Sequence, residues 1–583
     1  MKNEIRRTLW NNEILNNLSI KELDLLAIEI REFLIEKISH TGGHIGANLG
    51  VVELTIALHS EFSSPDEPII FDTGHIGYTH KLLTGRKNMF DSLNSYGGMS
   101  RFITPSESEH DLIEASHAGT AISVALGIAK ARKIKNDDRW TIALVGDSAL
   151  AEGSSFEAIN HASVEQAKML LVANDNGFAI SPGYGALHNA LQSNNDEAKN
   201  FVESLGMQYF GPIDGHNILE LKDTIRQAKK CNKTPFIHAK TVKGKGLKAA
   251  NTHPYRMHFS FPFNPDTGES KEKLIPQKTF PDVVGDVLQE AMDCDPKIVC
   301  LTPSTIYATG LAKVFASYPD RCIDPGMAEQ HALTMTVGLA LEGLKPVIAY
   351  QSTFLQRAFD QLIHDVCFSN LPILILSMRS GFSGYDNPTH HGIYDISFMR
   401  ALPNLKILYP RNKVELEEML QNNLDNITGP TVIMMPYGDL VDEDRSVVGL
   451  VEAPEHYRKG KDTVIICVGN KFKECAKVAE KLDLGLVNIR CIKPLPDNEL
   501  LEILNKYNNI VTVEEAILDG GLGSSISSLI SDNFLQKKIL RLGLPTKFIE
   551  PGSNDELCEI YGLDELGIKN SILNFVKGKY NND

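Results

Sequence analysis

The sequence predicts three α/β domains, each a doubly wound, mostly parallel sheet with helices on both faces. Short apolar runs of strand character alternate with helix-period segments along most of the chain. The pattern restarts twice, near Pro276 and again at "DTVIICVGN" (462–470). A chain of 583 residues also exceeds what one hydrophobic core organises.

The first helix is read at "LSIKELDLLAIEIREFLIEKISH", where Ser19 and Glu22 have capping-box spacing and Leu23, Leu26, Ala27, Ile30, Leu34 and Ile38 form a stripe. The glycine-rich loop "HTGGHIGANLG" ends it, and "VVELTIALHSEF" resumes a helical pattern. "PIIFDTGHIGYTHKLLTGR" is a strand running into a second glycine and histidine loop. Then "AGTAISVALGIAKARK", "WTIALVGD", "SSFEAINHASVEQA" and "MLLVANDN" read as helix, strand, helix and strand. The stretch 252–280, rich in Pro, Gly and charge, reads as a linker. Beyond it "FPDVVGDVLQEAM", "KIVCLTPS", "KPVIAY", "LPILILSMR", "LKILYP" and "GPTVIMMP" make a second unit. "LGLVNIRCIKPLP", "NIVTVEEAILDGGLGSSISSLI" and "KILRLGLP" complete a third. The expected domains are 1–270, 276–440 and 455–583.

Composition narrows the function. Hydrophobic residues at 42% and charged residues at 23% fit a folded globular protein. A net charge of −16 without a basic block opposes the counterion release on which nucleic-acid binding depends. Nine scattered cysteines without a C-x-x-C pair suggest neither a disulfide framework nor a zinc site. No run of about eighteen apolar residues and no signal-type N-terminus is present, so the expected location is cytoplasmic, without a membrane partner.

Ligands of open parallel sheets bind outside the carboxyl ends of the strands, beside helix N-termini. Asp147 ends one predicted strand and Asn176 the next, near a helix starting about Gly153. Taken singly, G-D-S and N-D-N are ordinary turn tripeptides. Together, one Asp, one Asn and a backbone carbonyl suffice for Mg²⁺, which keeps waters and phosphate oxygens as its other ligands. Four histidines stand in glycine-rich or polar loops, His44, His75, His117 and His390, with His258 in "RMHFS" a fifth candidate. Neutral imidazole both donates and accepts, which suits proton traffic. Lysines and arginines around "VKGKGLK" read as a solvated loop.

The pairing of G-D-S with a later strand-end Asn resembles the diphosphate motif of thiamine-diphosphate enzymes. "MAEQHALTMTVGLALEGLKPVIAYQSTFLQRAFDQLIHDV" is similar to the cofactor-ring half of the transketolase family. From about Ile28 to Leu573 the chain resembles that family's 1-deoxy-D-xylulose-5-phosphate synthase branch, through "TGGHIGANLGVVELTIALH", "GHIGYTHKLLTGR", "AEQHA", "DNPTHHG" and "GLP". The resemblance implies three transketolase-type domains, thiamine diphosphate and Mg²⁺. It implies a metal held by Asp147, Asn176 and the Phe178 carbonyl, with Gly146, Ser148, Ala149, Asn176, His75, His117 and Phe354 around the cofactor. Glu329 would protonate the aminopyrimidine ring, His44, His258 and His390 would serve the chemistry, and Arg379, Asp386, Gln351 and Tyr437 would line the acceptor site.

The implied reaction decarboxylates pyruvate and transfers the two-carbon unit to an aldehyde, glyceraldehyde 3-phosphate or a relative. Alternatives are ketol transfer of transketolase type, acyloin formation with another or an unphosphorylated acceptor, and a regulatory homologue without turnover. A homodimer is expected, because "IGANLGVVEL" looks too apolar to face solvent. The chain departs from the branch at "VIMMPYGD", where Met434 and Tyr437 replace arginines, one of which binds acceptor phosphate. A buried phosphate would lose a partner worth about 2–5 kcal/mol. Gln351 replaces a tyrosine, Ile76 a glutamine, and Ser116 and Ser148 glycines.

Overall fold

The structure is a computed structural model that describes residues 10–193, 196–271, 278–438, 440 and 452–578. The chain forms two compact units, Met1–Ile275 with Gly326–Ala328, and Pro276–Pro325 with Glu329–Asp583.

The first unit is built on β1 (Ile69–Phe71), β2 (Thr141–Gly146), β3 (Met169–Asp175), β4 (Gln208–Asp214) and β5 (Pro235–Lys240). They pair in the order β1-β2-β3-β5-β4, all parallel. Alternation along each strand makes two cores. Ala143, Val145, Leu171 and Ala173 pack on one face with the helices Ala121–Ile134 and Gly153–Glu165. Ile142, Leu144, Leu170 and Val172 pack on the other with the helix Val52–Glu61. Each side chain's face follows from the period of two.

The helix Ile20–Thr41 is capped by Ser19 and Glu22 as the spacing predicts, and its stripe is buried. The stretch 45–54 is buried within this same unit, so its apolar character needs no second copy to cover it, contrary to the expectation. The reading of 252–280 as a linker is also corrected over its described part. Gly43 and Ser260 form a bridge, and Met257 and Phe263 are buried in the core beneath the first helix. Apolar residues in "RMHFSFPF" outweigh its prolines.

The second unit carries two sheets. Its larger sheet uses β6 (Ile298–Leu301), β7 (Cys322–Ile323), β8 (Lys345–Gln351), β9 (Leu374–Ser380), β10 (Lys406–Leu408) and β11 (Thr431–Pro436). The remaining strands are β12 (Glu455–Arg458), β13 (Thr463–Val468), β14 (Gly485–Ile489), β15 (Cys491–Lys493), β16 (Asn509–Ile517) and β17 (Lys538–Leu544). β15 joins the larger sheet antiparallel, giving β15-β10-β11-β9-β8-β6-β7. The other five form β12-β14-β13-β16-β17, parallel except for β12. One apolar core is common to both sheets: Ile348, Ile375 and Val432 from one meet Val464, Ile466 and Val487 from the other. Among the described residues no helix is long and apolar enough to cross a membrane.

Gly46 shows how tightly the first unit is closed. Its N–H donates to Met257 O at 2.9 Å, and a Cβ there would stand 2.0 Å from the Arg256 carbonyl oxygen. Backbone atoms have no rotamer to escape into, so Gly46→Ala should cost about 1–3 kcal/mol of stability and shift the 256–258 turn. Urea unfolding of the variant measures this, and a midpoint equal to wild type refutes it.

Candidate active site

The carboxyl ends of β1, β2 and β3 each deliver an acid or amide. Asp72 follows β1; its two oxygens accept the N–H groups of Gly119 at 2.9 Å and Ala121 at 3.0 Å. Ser154 Oγ donates to Gly119 O at 2.9 Å from the opposite side. The loop of Ser116 and His117 is thereby fixed ahead of its helix, with His117 half-buried.

Asp147 follows β2 and Asn176 follows β3, and Asp147 Oδ2 accepts Gly177 N–H at 2.9 Å while Asn176 Oδ1 accepts Phe178 N–H at 3.1 Å. The two strand ends thus share one backbone turn. Burial, reinforced by the charge of Asp175, pushes the Asp147 carboxyl up to about 8. Asp175 itself goes down: burial would raise it, but the bond from His238 Nε2 at 2.7 Å outweighs that. An acid disfavoured as an anion in this way is one that a divalent cation stabilises.

The turn after Asp147 fits a diphosphate. Ser148 Oγ is buried without a hydrogen-bond partner. A Cβ built on Gly146 or Gly153 meets nothing within 4 Å, so the backbone there faces open space. The helix Gly153–Glu165 starts beside it, with its N–H groups free to favour an anion. Among the described residues no group of three His, Cys, Asp or Glu side chains could hold a metal.

Three of the histidines come together in this unit. Ring centroids are 5.0 Å apart for His44 and His75, 5.0 Å for His75 and His258, and 5.5 Å for His44 and His258. Burial, with Lys243 and the other two rings adding to it, holds His258 well below the usual imidazole range, so it is neutral. Lys243 Nζ and His258 Nδ1 are hydrogen-bonded at 3.0 Å; as an ammonium the lysine donates, which puts the ring proton on Nε2. Lys243 is only 4% exposed and also donates to Ala179 O. Burial brings it down to about 7 against the pull of Asp147. The solvated reading of "VKGKGLK" is therefore wrong at Lys243: the glycines turn this one lysine inward. Asn48 is a second residue the sequence did not flag. Its amide donates to His44 O and His75 O, both at 2.7 Å, and its oxygen accepts Tyr78 N–H at 2.8 Å, so one buried side chain ties the two histidine loops. The only signal was a lone amide inside "IGANLG". Ile76, by contrast, is part of an apolar core.

In the second unit Glu329 opens the helix Glu329–Leu341 and is 7% exposed; Tyr350 OH donates to its carbonyl at 2.8 Å. Phe354 lies in the short helix that follows β8 and Gln351, and meets the His390 ring edge-on at 5.8 Å. Arg379 NH1 donates to Asp386 Oδ2 at 3.3 Å, and its guanidinium lies 4.8 Å from the centre of the Tyr437 ring. Of the residues expected at the acceptor, Arg379 thus touches both Asp386 and Tyr437, while Met434 is buried in the core. Asp395 was not singled out. Burial pushes it up to about 7, against the hydroxyls of Ser352, Ser380 and Ser377. Ser380 Oγ donates to it at 3.0 Å, so Asp395 fastens the end of β9, next to Arg379.

Sequence profiles place these features. Residues 7–200 and 194–241 match the profile of 1-deoxy-D-xylulose-5-phosphate synthase, 277–441 that of the transketolase pyrimidine binding domain, and 453–568 that of the transketolase C-terminal domain. The class is that of transketolase-type enzymes dependent on thiamine diphosphate and Mg²⁺. A chain of Halothermothrix orenii named 1-deoxy-D-xylulose-5-phosphate synthase is 40% identical over 97% of this chain and 96% of its own length. Chains of the same name from Dechloromonas aromatica, at 38% over 96% of each, and Caldanaerobacter subterraneus, at 39% over 96% and 97%, are similar. The chain belongs to the 1-deoxy-D-xylulose-5-phosphate synthase family. A solved transketolase from Campylobacter jejuni covers 95% of this chain at 18% identity, with a TM-score of 0.45, a likeness too weak to bear on the activity.

The Asp147 geometry has a direct consequence. Asp147→Ala removes the one anionic ligand of the proposed metal set, so thiamine diphosphate affinity in the presence of Mg²⁺ should fall by about tenfold or more. Calorimetric titration measures it, and an unchanged affinity refutes the assignment.

Proposed function

We propose that this enzyme decarboxylates pyruvate and joins the two-carbon unit to glyceraldehyde 3-phosphate, forming 1-deoxy-D-xylulose 5-phosphate. What carries this reading is identity of about two residues in five over nearly the whole length of relatives that bear the synthase's name. No observation favours ketol transfer, and the buried acids and histidines present argue for turnover over a purely regulatory role.

Thiamine diphosphate supplies, when bound, the electron sink for decarboxylation and carbon–carbon bond formation. Asp147, Asn176 and the Phe178 carbonyl would hold Mg²⁺, and Ser148 Oγ with the backbone of Gly146 and Ala149 would meet the diphosphate. His75 and His117 line the same cofactor. Glu329, shielded from water at the head of its helix, holds the proton shared with the pyrimidine ring nitrogen, and Phe354 offers that ring a flat apolar face. His258, neutral and able to give or take a proton, serves the substrate carbonyl, as do His44 and His390. Arg379 grips the acceptor's anionic end, Asp386 accepts from its hydroxyls, and Gln351 and Tyr437 complete the pocket.

The enzyme is further proposed to work as a homodimer in the cytoplasm. Leu341 at 70% and Phe368 at 84% exposure leave an apolar surface on the second unit that a second copy would cover. Nine free thiols, among them the cross-strand partners Cys300 and Cys322, fit a reducing compartment.

Two substitutions test the roles. Glu329→Gln keeps shape but not the titratable proton, so thiamine diphosphate should bind while exchange of its thiazolium proton slows by about two powers of ten or more. Nuclear magnetic resonance of quenched exchange reads this; an unaltered rate assigns activation to another group. Tyr437→Arg sets a second cation beside Arg379. It should raise kcat/KM for glyceraldehyde 3-phosphate over unphosphorylated glyceraldehyde by about one to three powers of ten. Both acceptors are measured in one preparation, and an unmoved ratio shows that position 437 does not see the phosphate.

A further inference from the structure

The acceptor loop is held by a part of the chain to which no chemistry has been given. Residues 382–391 leave and re-enter the larger sheet through a narrow neck, where Gly381 N–H donates to Gly392 O at 2.9 Å and Gly392 N–H to Gly381 O at 2.7 Å. The loop carries Asp386 and His390 and begins just after Arg379. Its anchors lie in the region matching the C-terminal domain profile. Glu515 Oε1 accepts Phe382 N–H at 2.8 Å. Gly552 N–H donates to Gly384 O at 3.3 Å, and Tyr385 OH to Glu556 Oε2 at 2.5 Å. His391 Nε2 donates to Glu550 O at 3.3 Å, leaving Nδ1 to accept Ser383 N–H at 3.0 Å. The Phe382 ring is buried in the core of the five-stranded C-terminal sheet, with Phe472, Val513 and Leu557.

Glu515 is the buried member of this set. It stands in β16 next to Glu514, and the two point to opposite faces of the strand. Glu514 accepts the N–H groups of Leu522 at 2.6 Å and Gly523 at 2.7 Å, at the start of a helix. Glu515 faces the loop, and its second oxygen accepts from Lys471 Nζ and Asn470 Nδ2, both at 2.9 Å. Burial alone would lower the Lys471 ammonium, yet Glu515 and its other neighbours outweigh it, and the net shift is upward. A carboxylate this buried persists only when every oxygen is met, and here one oxygen is left for the loop backbone. Gly381, at φ +88°, makes room: a Cβ there would stand 2.4 Å from Glu515 Oε1.

We propose that Glu515, braced by Lys471 and Asn470, is a positioning residue for the acceptor aldehyde: it fixes the neck of the loop that carries Asp386 and His390 and that begins just after Arg379. The effect is selective, because Glu515 meets Phe382, Lys471 and Asn470, whereas Tyr350 OH meets the Glu329 carbonyl. The role rests on the two-substrate reading given above.

The test is steady-state kinetics of the full-length holoenzyme with pyruvate and glyceraldehyde 3-phosphate varied in turn. Glu515→Gln offers one carbonyl oxygen to three donors, so KM for the aldehyde should rise by about tenfold or more while KM for pyruvate stays within about twofold. Equal rises in both, or no rise, overturn the proposal. Asn470→Ala removes one donor at a half-buried position, and should show the same split to a smaller degree. Should Glu515→Gln not fold, an absent split in Asn470→Ala overturns the proposal by itself. Amide hydrogen exchange at Phe382 and Ser383, read without substrate, should quicken in the folded variants, and unchanged exchange overturns the proposal whatever the substrates prove to be. A wild type that forms no product from this substrate pair rejects the two-substrate reading alone, since the exchange measurement still decides on Glu515.

Discussion

A carboxylate taken out of water must be met by donors, and in this enzyme the donors that meet it belong to the loops that carry the proposed site residues. Asp72 holds the loop of His117 by two backbone N–H groups. Asp147 holds the turn of Asn176 and Phe178 through Gly177. Asp395 holds the end of β9 through Ser380, and Glu515 holds the neck beyond it through Phe382. Asp395 does so from the start of a helix and Glu515 from a strand of the other sheet, whereas Asp72 and Asp147, each just past a strand end, reach loops of their own sheet. Parallel sheets make this possible, because all their carboxyl ends lie along one edge and their loops are neighbours. Asn48 does the same with an amide, at no cost in buried charge.

Much of this was legible in the sequence, for reasons of period and of residue chemistry. The strands ending at Gly146 and Asp175 and the helix starting at Gly153 follow from apolar runs cut off by acids, amides and glycine. The histidines stood out because imidazole in a glycine-rich loop has no reason to be there for packing alone, and three of their rings lie within 5.5 Å of one another. Lys243 was not legible, since a lysine in a glycine-rich turn looks the same in sequence whether it points out or in. Asp395 and Glu515 were hidden differently. Each sits in an ordinary strand or helix pattern, and its role depends on a partner more than a hundred residues away (Phe382 for Glu515) or on serines of other elements (Ser377 and Ser380 of β9 for Asp395), which no local pattern reports. The paired acids of "VTVEEAI", inside an apolar strand, were the one available hint.

The contacts of Arg379 bear on how the proposed acceptor site would work. Its φ of +62° places a non-glycine residue in the left-handed region, at a cost of about 1 kcal/mol or more. The conformation is over-determined by its surroundings. Ser380 on its C-terminal side is bound to Asp395, and a Cβ on Gly392 would stand 2.6 Å from the Arg379 carbonyl oxygen. The backbone is therefore locked before any substrate arrives, and the guanidinium is aimed by its own main chain.

Tyr437 then decides what that guanidinium meets in the free enzyme. A second arginine at 437 would face Arg379 with like charge, and the pair would relax only when an anion bridged them. A tyrosine instead offers its ring face at 4.8 Å, a contact worth about 0.5–2 kcal/mol, while Asp386 occupies one edge of the fork. Arg379 is thus held in place without a phosphate, and the site exchanges strength of charge for preorganisation of the single cation it keeps. An acceptor that presents one anionic group to one fixed guanidinium loses less rotamer entropy on binding than one that must gather two mobile arginines, so part of the missing attraction is offset by order already present.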